Sequence, residues 1–441
     1  MKKETASFLT SSTTAQGARF HSTYAKSVLS NGIRVISEEI PHVRSVSVGL
    51  WFDVGSRDEN ALNNGISHFI EHMVFKGTKN RSIREIARSL ESVGGYLNAF
   101  TGKEHTCYYA RVLDEHTYLA LDVLSDLIQH PIFPERELEK EKGVVIEELR
   151  NAEDDPDDII HDYFDKSIFG KHPLGYPVIG TESNLRSFTR DDLFEYVQKS
   201  YLPVSMIVAA AGNIKHEALV SMAQTLLGDF QFSPSQGALM RRKPGTRKAE
   251  QQEYKKPIKQ AHICLGAQSF GIKSKQRYPL LVLNTLFGDG MSSRLFQNIR
   301  EKHGFAYSVY SYVHMMSDSG VFGSYIGTDS SHINHSIDLI YREMDKILAK
   351  PISRSELRRT KAQLKGSMML SLESIPNRMI RLGSSELYFH EHKPIDSIIQ
   401  QIDAVTTDDV YSVAKNLYVK ENLSTVIFYP TEKEEVNRER E

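Results

Sequence analysis

Over residues 45–54 the apolar positions Val46, Val48, Leu50, Phe52 and Val54 alternate with Ser45, Ser47, Gly49, Trp51 and Asp53. A period of two predicts a half-buried strand, with one face on a core and the other toward water. A shorter strand precedes it through Ile33, Val35 and Ile36, entered by an Asn31-Gly32 turn. After a loop over 55–64 the spacing turns helical from Gly65 to Phe75 and stops at Gly77. Ser82-x-x-Glu85 is a capping box that predicts the start of a second helix, ended by Gly94-Gly95. Strand patterns at 96–101 and 106–112, joined through Gly102, read as a hairpin, and helices near 115–129 and 134–152 follow.

The pattern then repeats at long range. Thr189-Arg190-Asp191-Asp192-Leu193 through Tyr201 returns 217 residues later as Thr406-Thr407-Asp408-Asp409-Val410 through Tyr418, and each copy leads into an apolar run, 206–211 and 425–429. A period this long indicates duplicated domains rather than a solenoid; two unrelated helix-then-strand pieces sharing a cap motif are the alternative. Between the copies, residues 233–259 carry Pro, Gly and eight Lys or Arg residues without apolar periodicity, which reads as a basic linker. The domains expected are therefore a leader or tail over 1–22, an N-terminal domain over 23–232, the linker over 233–259 and a C-terminal domain over 260–441.

A length of 441 residues fits two large units or about three of ordinary size. With 40% apolar and 25% charged residues the composition is that of a globular chain able to bury a core. The net charge of −2 offers no basic field for nucleic acid. No apolar run approaches the ~20 residues of a membrane-spanning helix. Cys107 and Cys264 are too few for a disulfide framework or a cysteine zinc knuckle, and point to a reducing compartment. The Ser/Thr-rich leader reads either as a tail or as an organellar transit segment.

The chemistry concentrates in His68-Phe69-Ile70-Glu71-His72. Residues four apart stack on one helix face, so both imidazoles reach one ion while Glu71 lies beside them. Zinc is the ion that this donor set suits, with a fourth position open to water whose pKa falls toward ~7. Two ordinary helix-face histidines would fit the pentapeptide as well, so a third ligand is required. Leu138, Glu141, Val145, Glu148 and Leu149 share a helix face, which puts two carboxylates on an apolar stripe unless that stripe faces solvent. The second half holds no His-x-x-Glu-His; His332, His335, His390 and His392 lack an evident third ligand there. Gly288-Asp289-Gly290 is not followed by Gly-Lys-Ser/Thr and implies no nucleotide.

The run from Gly65 to Thr78, with Glu148 lying 76 residues after His72, resembles the inverted-motif zinc peptidases of the pitrilysin family. The likeness extends over nearly the whole chain from about residue 28. It is strongest to the short subfamily of bacterial processing-protease-like peptidases and the catalytic β subunit of the mitochondrial processing peptidase. The resemblance implies an α+β fold of two homologous halves, each of two similar α/β subdomains, facing each other as a clam-like chamber. It implies His68, His72 and Glu148 as ligands of one Zn2+ per chain, Glu71 as general base, and Glu141 as a carboxylate supporting the ligands. Tyr96–Thr101 resembles the strand that pairs with bound peptide, through Asn98, Ala99 and Phe100, and Arg300 and Tyr307 resemble the Arg and Tyr that the second half supplies to substrate. The function implied is a zinc-dependent endopeptidase of extended peptides, working as a homodimer in the bacterial cytoplasm. An organellar presequence-processing subunit in the mitochondrial matrix, paired with an inactive homologue, is the alternative within that chemistry. A non-catalytic scaffold like the bc1 core subunits is the alternative outside it.

Overall fold

A computed structural model of the chain describes residues 22–231, 241–246 and 248–431; the leader and part of the basic linker lie outside them. The chain is α+β and forms two compact units. One draws on residues up to Leu149, on Pro177–Arg241 and on Leu370–His392, and the other on Arg150–Tyr176, Arg242–Met369 and the chain from Lys393 onward. Each unit is built on one mixed sheet.

In the first unit the strands are β1 (Thr23–Val28), β2 (Arg34–Glu39), β3 (Ser45–Phe52), β4 (Tyr96–Thr101), β5 (Thr106–Leu113) and β6 (Met206–Gly212), ordered β1-β2-β6-β3-β5-β4. In the second they are β7 (Gln251–Lys256), β8 (Ala261–Ser269), β9 (Ala306–Met315), β10 (Gly320–Thr328) and β11 (Ser424–Pro430), ordered β7-β11-β8-β10-β9. The two orders superpose as β2/β7, β6/β11, β3/β8, β5/β10 and β4/β9. In each sheet only the β2–β6 or β7–β11 pair is parallel. The echoed segments are the helices Arg190–Ser200 and Thr407–Leu417, each opened by a reciprocal Thr/Asp capping box and each leading into the parallel strand of its sheet.

Two of the expectations need correction. The likeness implied two similar subdomains in each half, yet the described residues form two sheets in all, one per unit, so the chain carries two α/β subdomains rather than four. Residues 251–256, read as linker, form edge strand β7. Main-chain pairing with β11 supplies their order, and Tyr254 packs edge-on against Tyr163 and Phe428.

The units also exchange a helix in sequence. Pro156–Phe169, from the N-terminal half, buries Ile159, Ile160, Phe164 and Ile168 with Val321, Val426 and Phe428 of the second sheet. Fully burying such side chains is worth roughly 1.5–3 kcal/mol each. Ile375–Phe389, from the C-terminal half, covers the first sheet. It explains why β3 is buried on both faces instead of the one its alternation predicts. Its Met379 Sδ accepts from Trp51 Nε1 at 3.4 Å, and a Cβ on Gly49 or Gly383 would stand 2.9 Å from Met379 Sδ or 2.3 Å from the Trp51 ring. The small residues on the outer face of β3 are thus the seat of this helix. Arg378 pairs with Glu38 at 2.6 Å, and Lys26 and Arg34 share Glu386 at 2.7 and 3.1 Å. No helix among the described residues is long and apolar enough to cross a membrane.

Candidate metal and catalytic site

The helix Ile66–Met73 carries His68, Glu71 and His72, while Phe69, Ile70 and Met73 bury into the core of the first unit. Its start is held from outside the helix. Gly65 adopts φ 99° with the chain at Ile179 and Gly180 so near that a Cβ would approach within 2.7 Å, and it offers no side chain as a cap. The buried Glu59 carboxylate takes that role, accepting from Gly65 N at 2.8 Å, Ser67 N at 2.9 Å and Asn64 Nδ2 at 3.0 Å.

The helix Glu135–Asp154 brings Glu141 and Glu148 to the same place. His68 Nε2 lies 3.8 Å and His72 Nε2 3.4 Å from the two oxygens of Glu148, and one ligand atom from each of the three residues falls within 4.8 Å of the others. Two imidazoles and a carboxylate suit zinc, and bonds of ~2.0–2.1 Å in a tetrahedron put neighbouring donors roughly 3.3 Å apart. The observed separations are close to that edge, so the residues fit the ion. Burial, reinforced by the neighbouring His72, pushes His68 down to about 4, which keeps it neutral at pH 7 as a ligand must be. Its Nδ1 is buried without a hydrogen-bond partner.

His72 is set differently. Its Nδ1 meets Glu141 Oε1 at 3.0 Å, and the other oxygen of Glu141 accepts from Lys76 Nζ at 2.7 Å. A carboxylate at Nδ1 fixes the tautomer that leaves Nε2 free for a metal. Burial lowers the His72 pKa, but Glu141 and Glu148 outweigh it and the net shift is upward. Glu141 is nearly buried, which raises its pKa, and its bonds to His72 and Lys76 bring it below the usual carboxylate range. Glu71 is half-buried; that desolvation raises its pKa, against a hydrogen bond from Thr101 Oγ1 at 2.5 Å to its Oε2.

The other named residues lie on β4 and in the second unit. Asn98, Ala99 and Phe100 lie on β4, the outermost strand of the first sheet, whose only strand partner among the described residues is β5. Asn98 Nδ2 donates to Tyr96 Oη at 2.6 Å, and Phe100 packs against Trp51 and Tyr109. Arg300 and Tyr307 belong to the second unit. Arg300 is exposed on the π-helical turn Phe296–Glu301 with its guanidinium over the Phe296 ring, and Tyr307 is the second residue of β9, with 78% of its surface exposed.

Sequence reasoning missed Lys76, Thr101 and Glu59. Lys76 continues the row 68, 72, 76 at helical spacing, a signal that was available. Thr101 and Glu59 meet the site only through the fold.

Residues 34–182 match the family model described as insulinase (peptidase family M16), and residues 187–364 match that of the M16 inactive domain. A Bacillus subtilis protein named as an uncharacterised zinc protease, YmxG, is 44% identical over 391 residues, 89% of this chain and 95% of its own. A Streptomyces coelicolor protein named likewise is 39% identical over 400 residues, 90% of this chain and 87% of its own. The fold is similar to the crystal structure of a protease from Helicobacter pylori, with TM-score 0.86 and 22% identity over 93% of this chain and 100% of that one. Matched by both models in succession, and aligned with such relatives along most of their length, the chain belongs to the insulinase family, peptidase family M16, in its short form of one M16 domain followed by one inactive domain.

Proposed function

We propose that the chain is a zinc endopeptidase that cleaves extended peptides, with His68, His72 and Glu148 as metal ligands and Glu71 as general base. The observation that carries this reading is the convergence of two imidazoles and the Glu148 carboxylate from two helices, beside a second carboxylate, Glu71, on the same helix turn as the histidines. The zinc-protease names of relatives at 39–44% identity support it.

When bound, zinc supplies Lewis acidity toward water and the scissile carbonyl. The chain's residues do the rest. Glu141 and Lys76 hold the His72 ring so that Nε2 faces the site. Glu71 takes the proton from the attacking water and passes it to the leaving amine, a role for which a half-buried, upward-shifted carboxylate is suited. The outer edge of β4, without a second strand partner among the described residues, offers pairing to an extended peptide through Asn98, Ala99 and Phe100, an arrangement that favours unfolded segments. Arg300 and Tyr307 are assigned to the substrate carbonyls, with Tyr307 as oxyanion donor. Their support is the family likeness, their seven-residue spacing and their exposure. The enclosing clam-like chamber and the homodimer belong to the same proposal, as does the division into a zinc-binding N-terminal half and a substrate-binding C-terminal half.

The test is Glu71→Gln in the full chain. The expected result is one zinc per chain, retained in the variant, with peptide cleavage abolished. Undiminished cleavage by the variant overturns the role given to Glu71, and protein without metal after growth in zinc-replete medium overturns the zinc reading and favours a non-catalytic scaffold.

A further inference from the structure

Thr101 is the last residue of β4, paired across the hairpin with Thr106. Its hydroxyl does not point back into the sheet ladder; it donates to Glu71 Oε2 at 2.5 Å, a contact between residues 30 apart in sequence. The bond occupies one carboxylate oxygen and leaves Oε1 to accept a proton. A glutamate has three side-chain torsions, the last of them broad. A half-buried glutamate without a fixed donor therefore spreads over orientations of which few serve proton transfer. Here the donor comes from β4, whose only strand partner among the described residues is β5.

We propose that Thr101 is a positioning residue: its hydroxyl fixes the Glu71 carboxylate beside the imidazoles and ties it to the strand that receives substrate. This rests on the reading of Glu71 as general base. Chemistry is sensitive to the bond because proton transfer needs heavy atoms within hydrogen-bond reach. A hydrogen bond to a charged acceptor is worth enough to move kcat about 10-fold to about 100-fold.

The test compares zinc-loaded, full-length Thr101→Val and Thr101→Ser with the parent on an extended peptide, and Glu71→Gln runs in parallel. Valine keeps the shape and removes the donor, and serine restores it. Thr101→Ala supplies the same comparison should valine not be accommodated. The expected result for valine is a fall in kcat of about 10-fold or more with KM within about twofold and zinc content unchanged, and serine recovers most of the loss. A change in KM alone overturns the proposal, because Thr101 would then serve strand pairing only. So does an unchanged or raised kcat, the latter marking the bond as one that substrate must break. Glu71→Gln separates the two claims: cleavage retained there removes the general-base reading itself, whereas an inactive Glu71→Gln beside a fully active Thr101→Val removes only the role of Thr101.

Discussion

Glu141→Gln is the sharpest probe of how the imidazoles are held. The substitution keeps the size of the side chain and removes the charge that faces both His72 Nδ1 at 3.0 Å and Lys76 Nζ at 2.7 Å. Partners placed behind a metal ligand are typically worth 10–100-fold in metal affinity, or about 1.4–2.7 kcal/mol. The figure agrees with the ~1.5–3 kcal/mol of a single charge-assisted hydrogen bond. Stability of the metal-free chain moves much less. Lys76 keeps a quarter of its side chain exposed and can rehydrate, so the lost pair costs under ~1 kcal/mol there. The assay is zinc dissociation measured by chelator competition, with thermal unfolding of the metal-free and zinc-loaded forms in parallel. The variant is expected to bind zinc 10–100-fold more weakly, to lose unfolding temperature when loaded, and to match the parent when metal-free. Equal zinc affinity would refute the argument that Glu141 sets the His72 tautomer. A large loss in the metal-free form alone would recast Glu141 as a structural ion pair.

Gly383→Ala places a Cβ 2.3 Å from the rigid Trp51 ring and is expected to destabilise the first unit by about 3 kcal/mol; the emission of Trp51, the one tryptophan of the chain, reports its unfolding. His105, caged by Trp51, Phe100 and Tyr388, is pushed down by burial to about 4. The unfolded chain then binds more protons between about 6.5 and 4. The contribution is full above pH 6.5 and is lost as pH falls to about 4, by roughly 2–3 kcal/mol. Comparing His105→Phe with the parent over pH 4–7 should show that part of the acid slope disappear, and an unchanged slope would contradict it. Tyr307→Phe is expected to lower kcat about 100-fold with little change in KM if the phenol steadies the oxyanion. Loss in KM alone would point to ground-state binding.

What could be read from the residues is what chain neighbours decide. His68 and His72 share a face because four residues make one helical turn, and the capping boxes at Ser82, Thr189 and Thr406 close over three residues. The duplication was legible because both copies kept that box and the strand after it. The full burial of β3 was not, since the helix over it lies some 330 residues away in sequence, and the only local trace was the run of Ser47 and Gly49 where alternation called for larger polar side chains. The strand at Gln251–Lys256 escaped for the opposite reason: its order comes from pairing with β11, which leaves charged residues outward and no apolar period to find. Glu59, Thr101 and the Lys76–Glu141 pair are polar contacts between separate elements. Such contacts follow from how helices and hairpins pack, and no spacing rule along one element encodes them.

The central claim is that one zinc ion sits between His68, His72 and Glu148. X-ray diffraction from crystals of the zinc-loaded chain, collected on both sides of the zinc absorption edge, tests it directly. The account predicts a single strong anomalous peak per chain within ~2.0–2.2 Å of His68 Nε2, His72 Nε2 and a Glu148 oxygen. A peak elsewhere, or an ion held by the histidines with Glu148 turned away, would contradict it.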